Sequence, residues 1–185
     1  FTKGPRQGRR RLFFDLQTQK SFDDVGGWHN IYCMKLSAGV VWDELEEKFF
    51  NYLEGDAEQL ARKIKTADLV VGFNVIKFDY AVLQPYANFD LCEIPTFDML
   101  MDVKHKLGHR LSLNHLAKNT PDAKNIADGL VSLQWYKEGK FELITEYCQQ
   151  RVALIRDLFL YGELNGYVKY STQSELTKEL NVEWQ

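Results

Sequence analysis

Five apolar residues in a row, Leu69-Val70-Val71-Gly72-Phe73, constrain this chain more than any other stretch. A run of that length, without polar alternation, suits a strand covered on both faces. Just before it, Leu60, Ile64 and Ala67 recur at helical spacing over 57–67. A helix feeding a doubly buried strand is an α/β signature, so both faces of a sheet must carry helices.

The flanking segments fill in that plan. Arg11 to Leu16 is a short β-like run ending in a carboxylate, and a polar loop with Gly26-Gly27-Trp28 follows. The stretch 31–42 is rich in Val, Ile, Tyr and Trp and predicts a long strand, with a charged turn over 43–47 and a return strand over 48–53. Residues 78–86 predict a short helix and 94–97 another strand. Asp98 is placed to cap a helix over 99–107, with Gly108 closing it. Ser112 or its neighbours open a further helix. The longest helical pattern runs from 141 to 164, and 167–170 predicts a short edge strand. The expected architecture is α/β: a mixed five-stranded sheet, a three-strand antiparallel meander plus parallel strands, flanked by helices.

Composition narrows the class. With 185 residues, 45% of them hydrophobic and 14% aromatic, the chain supports one domain with a full core and does not read as disordered. A net charge of −3 excludes a uniformly basic nucleic-acid binder but leaves room for a local basic patch. The three cysteines are scattered without a CxxC, which argues against a zinc site or a disulfide framework and suits a reducing, cytoplasmic setting. No apolar run reaches the roughly 20 residues of a membrane span, so no membrane partner is expected. The expected division is a basic flexible arm over 1–10, a domain over 11–170 and a C-terminal tail over 171–185.

Several residues carry chemistry. Asp15 lies at the end of a strand, where a rigid backbone opens to solvent. Positions 15 and 17 point to the same side of that strand, so Asp15 and Gln17 can share a site. Asp79 starts a helix, a natural place for a carboxylate or a phosphate. Tyr147 and Arg151 stand four residues apart on one helical face. Two readings are open for Asp98, metal ligand or helix cap. Trp28, in its glycine-rich loop, is a base-stacking candidate, and Arg110 with Lys104 and Lys106 forms a basic cluster. His29, His105, His109 and His115 have no metal-ligand spacing.

In order and spacing, five stretches resemble one family: Asp15-Leu16-Gln17-Thr18-Gln19, Val25-Gly26-Gly27-Trp28, Leu69 to Asn74, Arg110-Leu111-Ser112-Leu113 and Ala127-Asp128-Gly129-Leu130. With Phe78-Asp79 after Asn74, and Tyr147 four residues before position 151, the chain resembles the DEDD-type 3′–5′ exonucleases in their tyrosine variant. Within these it is similar to the YprB-type predicted exonucleases, which are related to the proofreading domains of family B DNA polymerases. The resemblance implies an RNase H-like fold over roughly 11–170. It also implies catalytic positions at Asp15, Gln17, Asp79, Tyr147 and Arg151, with metal ligands at Asp15 and Asp79; beside these, Asp98 is a further metal-ligand candidate, and Asn74, Trp28, Arg110 and Arg151 are the candidates for contacting a strand. The implied partner is the 3′ end of single-stranded DNA or RNA, with a helicase or polymerase as fused or associated protein. The implied reaction is phosphodiester hydrolysis with Mg²⁺ or Mn²⁺.

The chain departs from that pattern at two of four acids. Gln17 offers only a neutral carbonyl, and Arg151 is a permanent cation that cannot ligate a metal. Two negative charges and one positive stand where four negatives are wanted, so at most one ion is expected. No neighbouring acid replaces position 151: Asp157 is about 120° around the helix and Glu146 about 140°. The leading expectation is a nucleic-acid-binding domain with a degenerate site. The alternatives are an active exonuclease using Asp15, Asp79 and Asp98, and a non-catalytic interaction module of a larger nucleic-acid-processing protein.

Overall fold

The computed structural model describes residues 8–120 and 129–185. Its centre is a five-stranded sheet whose strands lie side by side in the order 48–53, 36–43, 11–18, 69–72 and 96–98. Strand β1 (Arg11–Thr18) pairs antiparallel with β2 (Leu36–Asp43), which pairs antiparallel with β3 (Lys48–Leu53). Helices α1 (Phe22–Val25) and α2 (Ala57–Lys65) precede β4 (Leu69–Gly72), which is parallel to β1. Next come α3 (Tyr80–Leu83) and β5 (Thr96–Asp98), parallel to β4. The remaining helices are α4 (Met99–Leu107), α5 (Leu113–Lys118), α6 (Leu130–Lys137) and α7 (Phe141–Asn165). A separate hairpin of β6 (Tyr167–Ser171) and β7 (Thr177–Asn181) follows. This is an α/β, RNase H-like arrangement: meander first, then parallel strands, with helices on both faces.

The pleat of β1 divides the core. Leu12, Phe14 and Leu16 face α2 and α3, where they meet Leu60, Ile64, Val75 and Leu83. Phe13 faces the opposite way and packs with Val152, Ile155 and Phe159 of α7. Asp15 and Gln17 share the face of Phe13, as the period of two requires, so both carboxylate and amide lie under α7. Strand β4 is buried throughout, matching its unbroken apolar run. Asp98 caps α4 through its side chain and Gly108 closes that helix in the left-handed region at φ +78°, both as expected.

Three expectations are corrected. The long strand over 31–42 starts only at Leu36, because Trp28–Cys33 is a 3₁₀ segment. Ile31 and Met34 are the buried residues there and Tyr32 is exposed, a helical turn's spacing rather than a strand's alternation. The helix expected over 78–86 is broken into a π turn over Val75–Asp79, α3 and a 3₁₀ turn over Gln84–Tyr86. The stretch 171–185, expected as a tail, holds β7 and buries Trp184, whose ring stacks on Phe159 at 5.8 Å. Gly162 makes room for that indole, since a Cβ there would lie 2.4 Å from it. The basic arm falls mostly outside the described residues; Arg10 at its end is anchored by its N–H to Asp68 (2.7 Å).

Candidate active-site groove

The C-terminal ends of the parallel strands β1, β4 and β5 meet beneath α7. There the chain encloses a groove of about 770 Å³, lined among others by Asp15, Gln17, Asn74, Asp79, Tyr147 and Arg151. The fold therefore gathers the five expected catalytic positions, and Asn74, from segments far apart in sequence.

Their bonding differs from that of a cluster of metal ligands. Asp15 is almost wholly buried. Arg151 donates to both of its oxygens, Nε to Oδ2 at 2.8 Å and Nη2 to Oδ1 at 3.2 Å. Gln17 donates its Nε2 to the same Oδ2 at 3.2 Å, while its Oε1 accepts from the Ser132 hydroxyl at 3.0 Å. A glutamate at position 17 would put its charge beside Asp15; the amide turns that repulsion into a hydrogen bond. The buried Cys148 thiol lies 3.3 Å from the Asp15 carbonyl oxygen, and burial, then the Asp15 charge, push its pKa well up. For Arg151 burial opposes the charged form, but the ion pair and hydrogen bonds to Asp15 prevail and raise its pKa.

Asp79 is also buried. Its Oδ1 accepts the Leu16 N–H at 3.0 Å, and no partner of its Oδ2 occurs among the described residues. Burial, reinforced by the Asp15 charge, holds this carboxyl well above the usual carboxylate range, against the opposing pull of Arg151 and the Leu16 N–H.

Asp98 is used up as an organiser of backbone. Its Oδ1 accepts from the N–H groups of Asn74 (2.8 Å), Leu100 (3.1 Å) and Met101 (3.3 Å), and its Oδ2 from that of Ile76 (3.2 Å). Of its two readings, cap or ligand, the structure gives it the cap and also the clamp on the turn after β4. That turn needs one. Asn74 adopts φ +61°, a left-handed conformation that asparagine tolerates better than most residues. Gly72 just before it has Val75 so close that a Cβ would sit 2.6 Å from the valine Cβ.

Tyr147 is buried, shares the inner face of α7 with Arg151 and meets Trp135 edge-on at 6.1 Å. Trp28 is 51% exposed and packs on Phe22 (4.8 Å between ring centres), which packs on Phe78 (5.8 Å). Phe22 and Phe78 line the groove, so Trp28 stands at the outer end of an aromatic path leading from it. Arg110 is exposed and also lines the groove, as does Lys20. Lys20, Ser132 and Cys148 escaped sequence reasoning. Ser132 had a faint signal in the neighbouring Gly129-Leu130; Asp128 and Ala127 lie outside the described residues.

The donor set does not fit a pair of divalent cations. Asp15 is bound by a guanidinium, Gln17 turns its NH₂ toward that carboxylate, Asp98 accepts from four N–H groups, and among the described residues of the groove Asp79 is the one acid left. Hard cations want several oxygen donors, carboxylates above all. Among the described residues no group of three or more His, Cys, Asp or Glu is arranged to hold a metal.

No family model matches this chain, and no curated protein matches it in sequence. Among solved structures it is similar to the family B DNA polymerase of the hyperthermophilic archaeon Pyrobaculum calidifontis, with a TM-score of 0.62 and 14% sequence identity. The match covers 86% of this chain and 25% of the polymerase, so the chain spans about a quarter of that protein's length. At this identity the likeness shows the fold. No helix among the described residues is long and apolar enough to cross a membrane.

Proposed function

We propose that this is an exonuclease-fold domain that holds a single-stranded nucleic-acid end in its groove and cleaves it weakly or not at all. One observation carries the reading: Arg151 occupies both oxygens of Asp15 at 2.8 and 3.2 Å, where a DEDD-type site needs a free carboxylate pair. The groove keeps its place at the strand ends of the fold, and the chemistry at its floor has changed. A guanidinium and an amide replace two anions, so the electrostatic clamp that divalent ions supply in phosphodiester hydrolysis has few ligands to rest on. Supporting the nucleic-acid part are the resemblance of the motifs, the family B polymerase fold, the cations Lys20 and Arg110 on the groove and the aromatic path Phe78–Phe22–Trp28. The domain fits as one part of a larger nucleic-acid-processing assembly.

The test compares this chain with a Gln17→Glu/Arg151→Asp version on single-stranded DNA and RNA with Mg²⁺ and Mn²⁺. The expected result is strand binding by the native chain and nucleotide release only by the restored version. Metal-dependent release by the native chain, abolished by Asp15→Ala, would overturn the proposal.

A further inference from the structure

Arg151 has more hydrogen-bond capacity than Asp15 uses. A guanidinium carries five N–H groups in a planar fork. Asp15 takes the Nε edge, that is Nε–H and one hydrogen of Nη2. The other edge, both Nη1 hydrogens and the second of Nη2, has no acceptor among the described residues. Arg151 lines the groove with a side chain 22% exposed, and none of its nitrogens is a buried atom lacking a hydrogen-bond partner, so the unused N–H groups reach the groove.

The opposite side of the fork is held still. Asp15 is itself fixed in the middle strand of the sheet and by the Gln17 amide, which Ser132 orients in turn. The guanidinium is thus pre-positioned, which reduces the ordering cost of binding a second oxyanion. Its surroundings favour an anion. Lys20 and Arg110 line the same groove, while the acids on it among the described residues are Asp15, already paired, and Asp79.

Building on the reading of the groove as a strand-binding site, we infer that Arg151 binds a phosphate of the nucleic acid directly, through its Nη1/Nη2 edge and without a metal ion, and that Asp15 acts as its positioning residue. The fork geometry suits two phosphate oxygens at once. The guanidinium then stands where the fold would otherwise place cations, as a fixed positive charge that holds a phosphate but cannot generate a nucleophile. A lysine would serve less well, because its three N–H groups cannot offer two parallel hydrogen bonds to Asp15 and two more to a phosphate.

The experiment is fluorescence anisotropy of a short labelled oligothymidylate at several salt concentrations, with EDTA and with Mg²⁺. A methylphosphonate strand, which lacks backbone charge, serves as control, and melting curves check folding. Native affinity is expected to be the same in EDTA as in Mg²⁺ and to be lost with the neutral strand. Arg151→Lys should weaken binding about tenfold and lower the salt slope. The paired change Asp15→Asn/Arg151→Gln leaves the protein's net charge unaltered and strands neither partner of the ion pair. It should weaken binding by a similar factor, which excludes a loss of overall charge or of folding as the cause. Native-like affinity in both variants, or binding that needs Mg²⁺, overturns this inference while leaving the strand-binding reading in place. Failure of the native chain to bind any strand overturns both.

Discussion

Arg151→Met isolates the energetic role of the central ion pair. The substitution keeps a flexible apolar stem on α7 and removes the charge. It leaves Asp15, whose side chain is 4% exposed, with the Gln17 amide as its remaining side-chain N–H donor. Breaking a fully buried pair costs about 3–5 kcal/mol, because the surviving charge is stranded. The arginine side chain is 22% exposed to groove water, which screens part of that penalty. The expected loss is therefore about 2–3 kcal/mol. For a domain of this size that is a fall in Tm of roughly 5–10 °C. Removing both charges in Asp15→Asn/Arg151→Met should cost only about 1 kcal/mol, since nothing charged is left unpaired. Urea denaturation of the native chain, the two single variants and the double variant gives a coupling energy, expected at about 2 kcal/mol. A double variant whose loss equals the sum of the single losses would refute the reasoning, because Asp15 would then not depend on Arg151.

Other predictions follow from the same geometry. The raised pKa of Asp79 means the folded state binds an extra proton between the unfolded value, about 3.9, and its own higher one, so stability falls as pH rises through that window. Asp79→Asn keeps an acceptor for the Leu16 N–H and should raise Tm at neutral pH but not at pH 3; equal Tm values throughout would contradict it. Asp43 behaves oppositely: its burial is overcome by the Lys63 ammonium at 2.6 Å and the Glu46 N–H, and its pKa is lowered. That stabilisation is complete above about pH 3.9 and is lost as pH falls through the depressed folded value, so Asp43→Asn should lower Tm at pH 7 and have little effect in acid. Asp98→Ala strips four N–H groups of their acceptor and should cost about 2–3 kcal/mol, with hydrogen exchange rising first over 74–76 and the start of α4. Finally, Mn²⁺ should leave the native Tm unchanged and raise that of Gln17→Glu/Arg151→Asp, by ordinary linkage between binding and folding.

What could be read from the sequence follows how local each signal is. Asp98 and Gly108 bracket α4 because capping is written within one helix, and β4 shows itself because burial on both faces leaves no polar residue in the run. Residues 31–34 mislead because four apolar residues are too few to separate a helical turn from a strand. Strand β7 is nearly invisible: in Thr177–Asn181 Leu180 is the one buried residue, and its partner strand supplies the rest of the order. The site divides in the same way. The shared face of Asp15 and Gln17, and that of Tyr147 and Arg151, come from periodicities of two and of 3.6. That Arg151 would close on Asp15, and that Asp98 would spend its oxygens on the turn after β4, depends on how α7 and β5 dock on the sheet.

The contact between Asp15 and Arg151 spans 136 residues. Strand β1 is the earliest in the chain yet lies in the middle of the sheet, with β2 on one side and β4 on the other. Its later neighbours must be gathered before α7 can settle across it. Such non-local closure slows folding, and the ion pair is expected to form late in it. A fluorescent reporter in the groove should therefore time a late step of assembly, and a chain caught before that step would present Asp15 without its arginine.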